Sequence, residues 1–125
     1  MNTRILVVDD SSLARRTLRS IIESAGHQVE EASSGAEALE KYFLNRYDLI
    51  FLDMVMEEMP GLEVLAKLRE ISPEVRVIVA TADIQSGTRD EARQLGACEI
   101  INKPFTRDRV LSALNNVLEG GAACN

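Results

Sequence analysis

The sequence is poor in the residues that usually carry catalysis or metal binding. It has one histidine, two cysteines and no surplus of positive charge among its 125 residues. His27 follows Gly26 in a turn-like stretch. It has no positioned partner, so it reads as a surface side chain and not as a general base. Cys98 and Cys124 are too sparse for a disulfide framework. Cys98 stands in an apolar-leaning stretch and reads as a small core residue; Cys124 reads as an exposed thiol in a terminal Gly/Ala tail. With no Cys/His cluster, a zinc centre is excluded. The net charge of −6 lacks the basic footprint of a nucleic-acid binder. No apolar run exceeds four residues, far short of a membrane span. The opening MNTRILVVDD reaches acids too soon for a secretory leader. These absences together predict a cytoplasmic protein with neither nucleic acid nor membrane as partner.

What is present is 46% hydrophobic residues, enough for the core of one domain and too short a chain for two. A domain over residues 1–119 is expected, with a flexible tail over 120–125. Short apolar runs at 5–8, 29–32, 49–52, 75–80 and 99–101 are rich in Val and Ile and read as strands. Between them lie helical stripes. Ala14, Leu18, Ile21 and Ala25 form the first, and Ala36, Leu39 and Phe43 the second. Leu62, Leu65, Ala66 and Leu68 form the third, and Thr88, Ala92 and Leu95 a thin fourth. Val110, Ala113, Leu114, Val117 and Leu118 make a strong fifth. Ser34-x-x-Glu37 is a capping-box pattern, Thr106 can cap the last helix, and Gly26 and Gly96 fall where a left-handed residue ends one. Strand and helix alternate five times. That pattern demands parallel strands, right-handed crossovers and helices on both faces of the sheet.

In such a sheet, ligands sit beyond the carboxyl ends of the strands. Asp9 and Asp10 follow the first run, Asp53 the third, Thr81 the fourth, and Lys103-Pro104 the fifth. Singly, an acid after a strand is more often a cap or a turn former. As a set they place three carboxylates, a hydroxyl and an ammonium on one edge. Clustered acids repel unless a cation lies among them, and oxygen-only ligands favour a hard ion such as Mg²⁺. An aspartate can attack phosphorus and form an acyl phosphate. Phosphoryl transfer then needs positioning and neutralisation of the equatorial oxygens, which the cation, Lys103 and Thr81 would supply. Asp53, carried out of an apolar strand, is the acceptor on this reading.

With these residues in hand, the chain resembles a response regulator receiver domain of the single-domain, chemotaxis-regulator-like kind, from Arg4 to about Leu118. The likeness rests on ILVVDDS, on LDMVM with Gly61 eight residues after Asp53, on VIVATA and on NKPF. It implies a flavodoxin-like (βα)5 fold, a doubly wound five-stranded parallel sheet of order 2-1-3-4-5. It implies Asp53 as phosphoacceptor, with Mg²⁺ held by Asp9, Asp10, Asp53 and the main-chain carbonyl of Val55. Thr81 would be the switch hydroxyl and Lys103 the phosphate-binding lysine, with a cis bond to Pro104. The donor would be a phosphohistidine on a sensor histidine kinase, and the output a contact with a downstream target protein. The resemblance implies a monomer, with dimerisation on phosphorylation left open. It implies no turnover beyond the protein's own phosphorylation and slow autodephosphorylation.

Some positions depart from the commonest family pattern. Glu57 stands where proline is frequent, and Pro60 comes later. Ile100 stands where an aromatic ring commonly acts as switch, so it is expected to serve as an apolar contact beside the fourth helix, leaving Thr81 to carry the coupling. Val55 and Asp83 occupy the two positions that tune phosphate lifetime in the family. Glu57 and Glu58 read as a solvated acidic loop; the sharper alternative has Glu57 leaning toward the metal site. Three rivals compete. An aspartyl-phosphate phosphatase would carry Asp-x-Asp after the first strand. A flavin domain would want a Ser/Thr/Gly-rich loop there, where Asp9 and Asp10 repel phosphate. A receiver that is never phosphorylated would not need the full acid, Thr and Lys set.

Overall fold

The computed structural model describes residues 3–82 and 86–120, and the side chains of these except at 86–88 and 120. Asp83 and Cys124 lie outside the described residues. Strands β1 (Arg4–Val8), β2 (Gln28–Ala32), β3 (Leu49–Leu52), β4 (Val77–Thr81) and β5 (Glu99–Asn102) alternate with helices α1 (Ser12–Ser24), α2 (Gly35–Leu44), α3 (Gly61–Ile71), α4 (Ser86–Gln94) and α5 (Arg107–Gly120). All strands pair in parallel, in the order β2-β1-β3-β4-β5. The expected flavodoxin-like α/β sheet is therefore present.

Successive strand residues face opposite sides, and each side has its own core. Ile5, Val7, Leu49, Phe51, Ile78, Ala80 and Ile101 pack against α1 and α5 through Leu18, Ile22, Val110, Leu114 and Val117. Leu6, Val8, Ile50, Leu52, Val77 and Val79 pack against α2, α3 and α4 through Ala38, Tyr42, Val64, Leu65, Leu68 and Ala92. Every residue of β3 and β4 is buried, as expected for strands covered on both faces.

Local signals fix the ends. Ser11 caps α1, its hydroxyl accepting the Ala14 amide at 3.2 Å. Ser34 accepts the Glu37 amide at 3.1 Å, but the Glu37 carboxylate returns to the Ser33 amide at 2.7 Å, one residue earlier than a strict capping box. Thr106 Oγ1 caps α5 through the Arg109 amide at 3.3 Å. Gly26 and Gly96, at φ +95° and +97°, end α1 and α4 in the conformation that glycine adopts without strain.

The structure corrects several sequence expectations. In α1 the buried pair is Leu18 and Ile22; Ala25 is the exposed cap and Ile21 only half-buried. In α2 the buried face is Gly35, Ala38 and Tyr42, while Phe43 is 68% exposed. Strand β4 begins at Val77, because Val75 closes a turn onto the Ser72 carbonyl at 3.1 Å, and it ends with Thr81 as a strand residue. Helix α5 takes in Gly120, placed in the tail by the sequence; such ends vary by a residue or two. Cys98 is half-buried and disulfide-bonded, not a free core thiol. Pairing depends on which sulfurs meet in space, and cysteine count cannot show that. Ile100 is half-buried against the α2/α3/α4 core; among the described residues the exposed large apolar side chains are Leu13, Phe43, Leu44 and Val55. The two faces should respond differently to truncation. Leu114→Ala should cost about 2–5 kcal/mol, whereas Phe43→Ser should change stability by under about 0.5 kcal/mol, as read from urea unfolding.

Candidate phosphoacceptor site

The strand period brings the site together. Asp9, Asp53 and Lys103 stand directly beyond β1, β3 and β5. By alternation they share the face of Val7, Phe51 and Ile101. Asp53 is 4% exposed and Asp9 1%; Asp10, the next residue, is exposed. One carboxylate oxygen from each of Asp9, Asp10 and Asp53 lies within 4.8 Å of the others.

Lys103 is the counter-charge. Its Nζ donates to Asp9 Oδ2 at 2.7 Å and lies 3.3 Å from Asp53 Oδ2. Because β4 stands between β3 and β5, and neighbouring strands are about 4.8 Å apart, only a long cationic side chain spans the gap. Its backbone is fixed by a bond from its amide to the Thr81 carbonyl at 3.0 Å, and the Lys103-Pro104 bond is cis, as expected.

The two sequence-adjacent acids are held differently. Asp9 is pinned on every side. Its amide donates to the Ala32 carbonyl at 3.2 Å, and its carbonyl accepts Arg15 Nη1 at 2.6 Å. Its Oδ1 accepts the Ser11 amide at 2.9 Å, and its Oδ2 accepts Lys103. Among the described residues Asp10 accepts one bond, from the Glu57 amide to Oδ2 at 3.3 Å, which leaves it more capacity for a cation. Asp53 Oδ1 accepts the Val55 amide at 3.3 Å. The Val55 side chain is 58% exposed, so this position meets the acids through its backbone. Thr81 is 1% exposed at the end of β4 and in register with Asn102, next to Lys103.

Electrostatics follow from this geometry. Burial and the Asp9 charge push Asp53 up to about 6, against the opposing pull of Lys103 and the Val55 amide. Burial pulls the Lys103 ammonium down, but its bond to Asp9 and the charges of Asp53 and Asp9 outweigh this and hold it above the ordinary lysine value. One ammonium does not balance three carboxylates. An oxygen-only set this close, short of positive charge, fits a small divalent cation such as Mg²⁺.

The sequence missed contacts made by backbone groups. Gly61 was noted for its spacing, and its reason is steric. A Cβ there would come 2.5 Å from Met54 Cα and 2.6 Å from the Asp53 carbonyl oxygen. Helix α3 thus starts against the chain that carries Asp53, with the Gly61 amide bonded to the Met54 carbonyl at 3.0 Å. Arg15 and the Glu57 amide were also missed; neither belongs to a motif that periodicity or charge pattern marks. The Glu57 side chain is exposed, as the solvated-loop reading expected, and it is the main chain of residue 57 that reaches Asp10. Asp83 lies outside the described residues.

A family model described as the response regulator receiver domain matches residues 5–115. The chain belongs to this family. The receiver is 40% identical over 118 residues to the chemotaxis protein CheY of Thermotoga maritima, a match covering 94% of this chain and 98% of that one. Its fold superposes with a TM-score of 0.92 on a CheY-like receiver domain from Methanospirillum hungatei, at 27% identity and 96% coverage of both chains. It also resembles a chain of a CheX–CheY complex with BeF3 and Mg²⁺ from Borrelia burgdorferi, with a TM-score of 0.88 and 30% identity, covering 93% of this chain and 89% of that one. The strand order and the acidic edge are thus those of a two-component receiver.

Two measurements follow. Folded Asp53 holds its proton up to about pH 6, while the unfolded chain releases it near the ordinary 3.8. Between those values the folded state binds more protons, so stability falls as pH rises through the window and is level above it. Asparagine does not ionise. Metal-free Asp53→Asn should therefore exceed the wild type in stability at pH 7 by on the order of 2 kcal/mol, and the gap should close toward pH 4, as read from urea midpoints. Gly61→Ala should lose about 1–3 kcal/mol through overpacking, and should accept phosphate more slowly because the displaced backbone carries Asp53.

Proposed function

We propose that this receiver takes a phosphoryl group from a phosphohistidine of a sensor histidine kinase onto Asp53, and signals by a phosphorylation-dependent contact with a downstream target protein. The observation that carries the reading is the Lys103 ammonium held 2.7 Å from Asp9 and 3.3 Å from the 4%-exposed Asp53. A buried acid beside a fixed cation is costly as structure alone. As an acceptor it has a use, because the ammonium is already in place for the charge that arrives.

The reaction divides among the chain's residues. An ionised Asp53 oxygen attacks phosphorus, the P–N bond breaks, and the imidazole leaves with the electron pair and takes up a proton. With Asp53 at about 6, the attacking form predominates at neutral pH. On this reading Lys103 neutralises one phosphoryl oxygen and the Thr81 hydroxyl donates to another. Asp9, Asp10, Asp53 and the Val55 carbonyl would hold Mg²⁺, which would supply positive charge to the equatorial oxygens. Asp9 also holds Lys103. The protein has no turnover role beyond its own phosphorylation and dephosphorylation on this proposal. Thr81 carries the response outward, with Ile100 as a packing contact and not a moving ring.

The test is intact mass after incubation with a small phosphodonor such as acetyl phosphate. Wild type with Mg²⁺ should gain one phosphoryl group. Asp53→Asn should gain none, and EDTA should abolish the gain. A gain that persists in Asp53→Asn or is indifferent to EDTA overturns the reading.

A further inference from the structure

The loop joining β3 to α3 is tied to the acids by two of its own amides. The Val55 amide donates to Asp53 Oδ1 and the Glu57 amide to Asp10 Oδ2, each at 3.3 Å. The same loop is anchored at its far end by Gly61 on the Met54 carbonyl. In between, Met59 lies so close to α2 that a Cβ on Gly35 would meet its sulfur at 3.2 Å. Residue 57 is thus held from both directions and its amide is aimed by the loop. Among the described residues its carboxylate has no hydrogen bond or ion pair. That side chain is exposed at the mouth of a cleft of about 400 Å³, which Asp10, Met56 and Met59 also line. An exposed charge is screened within about 8 Å at physiological salt, whereas a hydrogen bond to a carboxylate fixes its direction.

Asp10 needs such fixing. Unlike Asp9, it is exposed, and among the described residues the Glu57 amide is its one hydrogen-bond partner. A surface aspartate left alone samples several rotamers. Tying Oδ2 to the loop selects one and leaves the other oxygen for the acid cluster. We propose that residue 57 acts on the site through its main-chain amide and not through its charge: the amide is a positioning group that orients Asp10 for the divalent cation. The proposal rests on the metal-dependent reading above. It also makes a chemical distinction that charge does not, because only proline at this position removes the donor.

Two experiments test it. The first is the Mg²⁺ dissociation constant of wild type, Glu57→Gln and Glu57→Pro, measured by calorimetry. Glu57→Gln keeps the amide and should stay within about twofold of wild type at physiological salt. Glu57→Pro should bind about three- to tenfold more weakly, the worth of one hydrogen bond. The second avoids proline altogether. It is hydrogen exchange at the Glu57 amide in metal-free protein, which should quicken several-fold in Asp10→Ala. If Glu57→Gln weakens binding as much as Glu57→Pro, the carboxylate is the acting group and the proposal is wrong. It is equally overturned if Glu57→Pro binds as tightly as wild type, or if Asp10→Ala leaves the amide's exchange unchanged. A wild type that binds no Mg²⁺ overturns the metal reading and this proposal together, a result distinct from the other three.

Discussion

The ammonium of Lys103 between the carboxylates of Asp9 and Asp53 is the contact on which the site depends. Without it, two acids that are 1% and 4% exposed would face each other at the end of a sheet, each costly to keep ionised. Much of the surrounding architecture bears on this contact. The Lys103 amide is bonded to the end of β4, and the Asp9 main chain is held by Ala32 on one side and Arg15 on the other. Arg15 is in turn held by Glu31 at 3.0 Å, and Glu31 by Arg19 at 2.8 Å. An ion-pair chain on the α1/β2 surface therefore ends at the carbonyl of a buried acid.

The sheet explains why the acids meet at all. Parallel strands bring all their carboxyl ends to one edge, so residues distant in sequence arrive there without any local bend. Period two then sorts them. The acids after β1 and β3 and the lysine after β5 continue one face, while Thr81 continues the face of Val79. Asp53 and Thr81 thus lean on different cores, one made with α1 and α5 and the other with α2, α3 and α4.

Much of this was legible in the sequence because the signals were redundant. Apolar runs of three to six residues, each with a polar residue of useful chemistry at or just past its end, pointed to Asp9, Asp53, Thr81 and Lys103, and the structure has all four at the carboxyl ends of their strands. Where a signal was single, it failed or blurred. Helix α2 has apolar residues at 36, 38, 39, 42, 43 and 44, nearly all round, so periodicity allowed a face through Phe43 where the packing chose Tyr42. In α1 the template admitted Ile21 or Ile22, and the sheet selected Ile22. Contacts made by amides and carbonyls left no mark. Every residue has those groups, so the Glu57 amide on Asp10 and the Asp9 carbonyl on Arg15 could be found only in three dimensions.

The lysine that completes the site lies 94 residues from the acid it holds. Contacts that distant in sequence are among the last a folding chain can afford to close. A chain that has formed β1 to β3 already carries all three acids, but not their counter-charge, which waits for β4 and β5. The ammonium thus depends on the whole sheet being assembled, because a chain lacking β4 or β5 would hold three carboxylates together without the cation that offsets them.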